Sequence, residues 1–598
     1  MQIQQLIDAI QTTPNDPSLH YELGGLYLAN HETQAALLAY QQALALAPNH
    51  PQILLQLGNT ESAAQRFTQA AEYFKQCIHV QPNNAGAHYN LGNAYIALGD
   101  ANQAVMHFKQ ALKHEPKDAD TYNNMGNALR DLGRLDEAIA CYQQALTIQP
   151  NMHHALTHLI HQKQHICDWD GLDADIARLR NVLQHDVHAQ IAPFALLAMP
   201  NTTAEEQLKC ASQWAQQQYE HLQMLPQRQI NRARTNANNT KIKVAYLSAD
   251  FRLHPLAFLI SELLVCHNRD KFEVYAYSYG PDDGSVERQQ IAANVDHFVD
   301  IRQWSDPQTA NQMQTEGIDI LVDLTGYTKH TRTGIVALKP APISINWLGY
   351  PGTMGQTQEG SLFDYILVDK IITPNPEHFS EQCLYLTCYQ PNNAQRLVSP
   401  TPSKSSLGLP EDAFVFCSFN QTFKITETMF SIWMQLLKQV SNSVLWLLDC
   451  NRWAKANLLK SAVKAGVDPQ RIVFAPRVPI EAHLARHAHA DLFLDTSPYN
   501  AHTTASDALW MDVPVLTCMG DIFPSRVAAS LLNTLQLETL VTHDLKAYAE
   551  RACMLANSRA MLNDIKMQLQ SRKSQLFNPK GFVQGLETAY IHVYNKIP

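Results

Sequence analysis

Small and apolar residues recur along the first 150 positions with a step of 34. Gly24, Gly58, Gly92 and Gly126 keep that step, as do Leu23, Leu57, Leu91 and Met125, and Ala36, Ala70, Ala104 and Ala138. Ala43, Cys77, Ala111 and Ala145 follow it too, beside an aromatic at Tyr40, Phe74, Phe108 and Tyr142. Pro14, Pro48, Pro82, Pro116 and Pro150 close the units. The spacing predicts pairs of helices. Small residues fall where the two helices touch, and the aromatic belongs to the second helix. Proline ends that helix because it has no amide hydrogen to continue the ladder.

A 34-residue unit of this composition is the tetratricopeptide pattern, here a half-unit ending at Pro14 and then four full repeats. Such arrays stack into a superhelix whose concave face receives extended partners. One polar first-helix position reads Glu22, Gln56, Asn90 and Asn124. If it lines the groove, its amides would hydrogen-bond a peptide backbone; the pattern equally allows ordinary solvated residues.

The period is lost after residue 152. "HHALTHLIHQKQHICDWDG" continues as helix, and "QRQINRARTNANNTK" is polar without apolar periodicity, so 153–240 reads as a helical bridge and linker. From Lys241 short apolar runs alternate with helical ones: "KIKVAYLSAD", "FEVYAYSYG", "IDILVDLTGYT" and "ISINWLGYPGTMG", then "AFVFCSFNQ", "SVLWLLDC", "RIVFAP", "ADLFLDTS" and "VPVLTCMG". Alternation of this kind predicts two parallel sheets in tandem, covered on both faces. Ligands of such sheets bind beyond the carboxyl ends of the strands. Those positions hold His254, Gly326 and Tyr327, Gly349 to Gly352, Gln421 to Lys424, Arg477, and His502 to Asp507.

Composition narrows the class. The 598 residues are 45% apolar and 17% charged, as in soluble globular protein. A net charge of −10 argues against a nucleic-acid binder. No run reaches the ~20 apolar residues of a membrane span, and no signal peptide is visible in "MQIQQLIDAIQ". Eleven cysteines without a C-x-x-C pair fit a reducing, cytoplasmic setting. P-loop, G-x-G-x-x-G and H-E-x-x-H motifs are absent. The D-x-D triplets at Asp118/Asp120, Asp168/Asp170 and Asp173/Asp175 lie in the repeats or the bridge, away from the strand ends. No metal site is read from these, and an enzyme handling a diphosphate here would need a helix N-terminus and a lysine in place of a metal.

The ordered strings "YLSADFRLHP", "GPDDGS", "LVDLTGYTKHTR", "PAPISINWLGYPGTMG", "FNQTFKI", "SVLWLL", "HTTASDALW" and "SRVAAS" resemble the O-linked N-acetylglucosamine transferases and their SPINDLY-like relatives, in the bacterial form. The resemblance spans nearly the whole chain. It implies a tetratricopeptide superhelix over 1–152, the bridge over 153–240, and two Rossmann-like domains in the GT-B arrangement, 241–400 and 401–598, the second with a closing helix. It implies an inverting, metal-independent transferase with a UDP-sugar as co-substrate and protein acceptors drawn through the repeat groove.

The same resemblance suggests roles. Lys424 would meet the donor diphosphate and stabilise the leaving group, with Gln421 beside it. His502, Thr503 and Thr504 would hold the pyrophosphate and Asp507 the ribose hydroxyls, although threonine at a helix start is also an ordinary cap. His483 and Arg486 would surround the uracil. His254 would be an acceptor-side histidine, with a reference pKa near ~6.5 suited to proton transfer. Tyr327, Gly349, Tyr350 and Pro351 would shape the sugar pocket. Two departures stand out. The large insert of the animal enzymes between the halves is missing, and Ile480 and Tyr499 replace a lysine and a small residue of the animal form. Tyr499 can fill the space of an N-acetyl group, which leaves glucose, another hexose or a deoxyhexose open beside N-acetylglucosamine. Three alternatives stay open: glucosylation of asparagine, O-fucosylation from a GDP-sugar, and a non-catalytic scaffold that senses nucleotide sugar.

Overall fold

The computed structural model describes residues 2–226 and 241–596. Most of the polar linker expected before Lys241 lies outside the described residues. The chain divides into two compact units, one up to Gln162 and one from Lys163 onward.

The first unit is a run of antiparallel helix pairs: α1 (Gln2–Thr12), α2 (Pro17–Ala29), α3 (Thr33–Leu46), α4 (Pro51–Ala63), α5 (Phe67–Val80), α6 (Ala85–Ala97), α7 (Ala101–His114), α8 (Ala119–Asp131), α9 (Leu135–Ile148) and α10 (His153–His165). Each second helix stops two residues before its proline, as the missing amide requires. The periodic glycines answer to the periodic aromatics. A Cβ on Gly58 would lie 2.4 Å from the Phe74 ring, and one on Gly92 would lie 2.5 Å from Phe108. Only glycine lets the two helices come this close. The unit runs past the expected boundary at 152 because α10 acts as one more first helix: Met152 and Ala155 join the Ala119/Ala145 cluster, and His158 packs on Tyr142 with ring centres 5.4 Å apart.

The second unit holds two parallel sheets. The first has β1 (Ile242–Ser248), β2 (Phe272–Ser278), β3 (His297–Asp300), β4 (Ile320–Asp323), β5 (Ile343–Asn346), β8 (Tyr365–Val368) and β9 (Gln382–Tyr385), in the order β3-β2-β1-β4-β5-β8-β9. Between β5 and β8 lies a small antiparallel pair, β6 (Gln356–Thr357) and β7 (Gly360–Ser361). The second sheet has β10 (Phe414–Ser418), β11 (Ser443–Leu448), β12 (Ile472–Ala475), β13 (Leu492–Leu494), β14 (Val515–Cys518) and β15 (Val541–Thr542), in the order β12-β11-β10-β13-β14-β15. β4, β5, β10 and β13 are buried at every position, as expected of parallel strands covered on both faces. Chain order reverses between β1 and β4 and again between β10 and β13, so each sheet opens a crevice there.

Two segments cross between the halves and shift the expected domain limits. The final helix, Pro579–Lys596, does not close the second sheet. Its stripe Val583, Leu586, Tyr590 and Val593 enters the core of the first sheet beside Val244 and Ile260, and Glu587 accepts the Asn268 amide at 2.7 Å. The bridge, with α11 (Leu172–His185) and α12 (Ala204–Tyr219), is more than a linker. Ala211 and Ala215 of α12 pack on Ala245 and Leu247 of the first sheet. The end of α10 meets the second half, where the His165 carbonyl accepts Thr422 Oγ1 at 2.7 Å and Asn451 Nδ2 at 2.9 Å. Among the described residues, no helix is long and apolar enough to cross a membrane.

Candidate active site

A cavity of about 520 Å³ lies between the carboxyl edges of the two sheets. It is lined by His254 and Gly349 from the first half, and by Gln421, Lys424, His483, Arg486, Tyr499, His502, Thr503 and Thr504 from the second. These ten positions, scattered over 250 residues of sequence, meet at the two crevices.

His254 follows β1 and opens the helix Pro255–Cys266 as its N-cap. Its Nδ1 accepts the Leu256 amide at 3.3 Å, with Asp250 Oδ2 3.7 Å away. Burial lowers its pKa, with Arg252 adding to the effect and Asp250 opposing it. A neutral ring whose Nδ1 accepts carries its proton on Nε2, so His254 is set to donate. Gly349 sits where the loops after β4 and β5 touch. A Cβ there would stand 2.0 Å from the Leu324 carbonyl oxygen.

Three residues expected in the sugar pocket lie behind this wall. Tyr327 is buried, its hydroxyl donating to the Met354 carbonyl at 2.7 Å. Tyr350 is buried edge-on to it, with ring centres 5.5 Å apart, and Pro351 is buried as well. Gly349 faces the cavity while the next side chain turns into the core. These tyrosines support the loop and do not line the cavity.

In the second half, the turn Thr422–Lys424 follows β10. Lys424 Nζ donates to the Asn500 carbonyl at 2.8 Å and stands 3.8 Å from the centre of the Tyr499 ring. Burial pushes the Lys424 ammonium toward neutrality, and the buried Asp495 carboxylate opposes this. Asp495, at the end of the β13 run, accepts the Ala501 amide at 2.6 Å and Thr517 Oγ1 at 2.7 Å, so it also shapes the loop that carries His502. His502 occupies the N-cap position of the helix Thr503–Trp510 but makes no side-chain bond there, so this helix start, which lines the cavity, has no side-chain cap. Burial and Lys424 hold the His502 imidazole neutral. Thr504 Oγ1 donates to Asn420 Oδ1 at 2.5 Å, so its hydroxyl is already engaged. An uncapped helix start facing an ammonium is an arrangement for an anion.

Asp507 is the second displacement. It does not line the cavity: its carboxylate is ion-paired to Arg396, and both side chains are nearly buried. His483 Nε2 is 3.7 Å from the other carboxylate oxygen, while its Nδ1 meets the Arg486 guanidinium. Burial, with His487, Arg486 and Arg396 adding, drives His483 down to about 2, so the ring is neutral. Arg486 donates to the Pro476 carbonyl at 2.7 Å and lies over the Phe419 ring at 4.8 Å. Arg396 is not legible in the sequence, because a lone arginine in a polar connection carries no pattern. Asp495 was visible as the acid ending an apolar run, but nothing in the run ties it to Lys424.

The repeat positions form a chain of amides. Asn90 Nδ2 donates to Asn59 Oδ1 at 2.8 Å, and Asn124 Nδ2 to Asn93 Oδ1 at 3.0 Å. Asn124 also donates to the Tyr89 hydroxyl at 3.1 Å. Gln56 is partly buried and Glu22 exposed. Asn124 thus spends both amide hydrogens inside the array, and Asn90 keeps one.

Among the described residues, no three His, Cys, Asp or Glu side chains gather to hold a metal ion. Tetratricopeptide repeat models match residues 3–51, 61–105, 92–129 and 119–152. The model described as glycosyl transferase family 41 matches 166–391 and 390–586. One relative is a probable UDP-N-acetylglucosamine–peptide N-acetylglucosaminyltransferase SEC of Arabidopsis thaliana, 30% identical over 463 residues, covering 73% of this chain and 46% of that protein. Another is the UDP-N-acetylglucosamine–peptide N-acetylglucosaminyltransferase of Caenorhabditis elegans, 26% identical, covering 71% of this chain and 47% of that protein. The chain spans under half the length of these two curated relatives. A solved O-GlcNAc transferase mutant of Thermobaculum terrenum shares the fold, with a TM-score of 0.67 at 23% identity over 92% of this chain and 98% of that one. With the family model matched across the end of the bridge and both α/β halves, this chain belongs to glycosyl transferase family 41.

Proposed function

We propose that the chain transfers a sugar, N-acetylglucosamine by preference, from a UDP-sugar to Ser or Thr of protein acceptors, with inversion and without a metal. The observation that carries this reading is the cavity in which Lys424 faces the uncapped start of helix Thr503–Trp510. As the bond to the anomeric carbon breaks, charge grows on the departing diphosphate. Lys424, once protonated, and the backbone amides at the helix start are already in place and would stabilise that charge without reorganising. Bound anion would restore to Lys424 the proton that burial loosens. His254, protonated on Nε2, would donate to the acceptor or the sugar from the opposite wall. Arg396 would have to share Asp507 with the ribose, or release it. Free cysteines throughout the described chain suit a reducing cytoplasm.

The test is incubation with UDP- and GDP-sugars and candidate protein acceptors, read by intact mass, with fragmentation to place the sugar on Ser, Thr or Asn. Turnover of no donor would overturn the reading. One observation favours a smaller donor: the Tyr499 ring packs on Lys424 and on His502, its centre 5.1 Å from that of the His502 ring, and so takes up space beside the amine that would meet the diphosphate. Preference for a glucose, hexose or deoxyhexose donor would select that second reading.

A further inference from the structure

Resting on the donor reading, we propose that Arg477 is a second cation for the donor diphosphate, acting across the Gln421–Lys424 turn from Lys424. Arg477 follows β12 and lines the same cavity. It is exposed, and its Nη2 donates to Gln421 Oε1 at 3.2 Å. The Cys450 thiol donates to that same oxygen at 3.7 Å. With its carbonyl held by two donors, the Gln421 amide has its NH2 end left for another acceptor. Arg477 and Gln421 therefore form one donor surface.

A charge count around the cavity singles Arg477 out. A nucleoside diphosphate brings two to three negative charges. His483 and His502 are neutral, and Arg396 is cancelled by Asp507. Arg486 is committed to Pro476, His483 and the Phe419 face. Lys424 shares its surroundings with buried Asp495. That leaves Arg477, which among the described residues is in no ion pair with a carboxylate and whose one hydrogen bond runs to Gln421 Oε1. A guanidinium keeps its charge wherever the protein is folded, and its planar fork matches two phosphate oxygens. Its exposure also leaves room for the donor to enter past it.

The experiment is calorimetric titration of the full chain and of Arg477→Met and Arg477→Lys with uridine, UDP, guanosine and GDP. Arg477→Met is expected to weaken the nucleoside diphosphate by about tenfold, the loss of one charge-assisted contact, and to leave the matching nucleoside within about twofold. Arg477→Lys should recover part of the loss, and raised salt should weaken the wild type more than the methionine variant. Because Arg477 is exposed, both variants should melt with the wild type. Unchanged diphosphate affinity in Arg477→Met, or an equal loss for nucleoside and diphosphate, overturns the proposal. A wild type that binds neither UDP nor GDP overturns the donor reading itself.

Discussion

Lys424 donates one side-chain hydrogen bond, to the Asn500 carbonyl, and faces the buried Asp495 carboxylate, so its removal is read beside a folding control. Lys424→Ala is expected to lower transfer by about a hundredfold to a thousandfold, the range for losing one preorganised charge-stabilising group, while far-UV circular dichroism stays unchanged. Near-normal turnover would remove the leaving-group role. Since burial depresses Lys424, the empty site loses its charge as pH rises below the ordinary lysine range. Donor affinity should then fall on the alkaline side, earlier than an exposed lysine would allow. Arg396 offers a stability test. Arg396→Ala strands a buried Asp507 carboxylate, and breaking such a pair costs about 3–5 kcal/mol; urea unfolding of Arg396→Ala against Arg396→Ala/Asp507→Asn separates the stranded charge from lost packing. At this scale the sequence was readable where a residue lies in the loop after a strand and lines the cavity, as Gln421, Lys424 and His502 do. It was not readable where a side chain turns the other way within a motif. Tyr350 follows Gly349 directly, yet one lies in the core and the other faces the cavity.

At the scale of elements, the helix pairs rest on contact between glycine and aromatic rings. Gly92→Ala would drive a Cβ to 2.5 Å from Phe108. Overpacking of that kind costs about 1–3 kcal/mol, against about 1 kcal/mol that alanine gains over glycine in a helix, so net loss is expected in urea denaturation of the array. The array also holds a buried histidine, His88, and the half-buried His107 and His158. His107 Nδ1 is 3.1 Å from His88 Nδ1, while His88 Nε2 is 3.1 Å from the Pro82 carbonyl. Burial, with His88 and Lys75 adding, pushes His107 down to about 4, and burial with Arg130 and His154 pushes His158 to about 3. Unfolded histidine titrates near ~6.5. The unfolded chain therefore binds more protons between the two values. Stability is complete above about pH 6.5 and is lost as pH falls toward 4. Thermal melting followed by helicity should drop across that window, and His107→Gln should flatten the drop; an unchanged drop would remove the histidines as its cause. The period of 34 exposed these helices because each repeat solves the same packing problem locally. The bridge escaped because its partners are distant: Thr422 bonds His165 across 257 positions.

For the whole molecule, the second unit is held by segments that leave one half and pack on the other. The C-terminal helix belongs to the first sheet's core through Tyr590 and Val593, and α12 covers that sheet's other face. The connection between the halves is pinned on both sides, with Asn393 donating to Ser261 at 2.7 Å and Gln390 to Ser506 at 2.6 Å. Two parallel sheets in tandem were legible as alternating runs, while the order of strands within each sheet was not. Which half owns the last helix was not, because its stripe of Val583, Leu586 and Tyr590 would suit either sheet. A donor site between the sheets requires that the cavity take a nucleoside diphosphate. A structure of the chain with UDP, or with GDP if UDP does not bind, tests this most directly. The diphosphate is expected between Lys424 Nζ and the amides of Thr503 and Thr504, with the base toward His483 and Arg486 and Arg477 reaching the phosphates. A nucleotide bound elsewhere, or a cavity empty at saturating nucleotide, would contradict that placement.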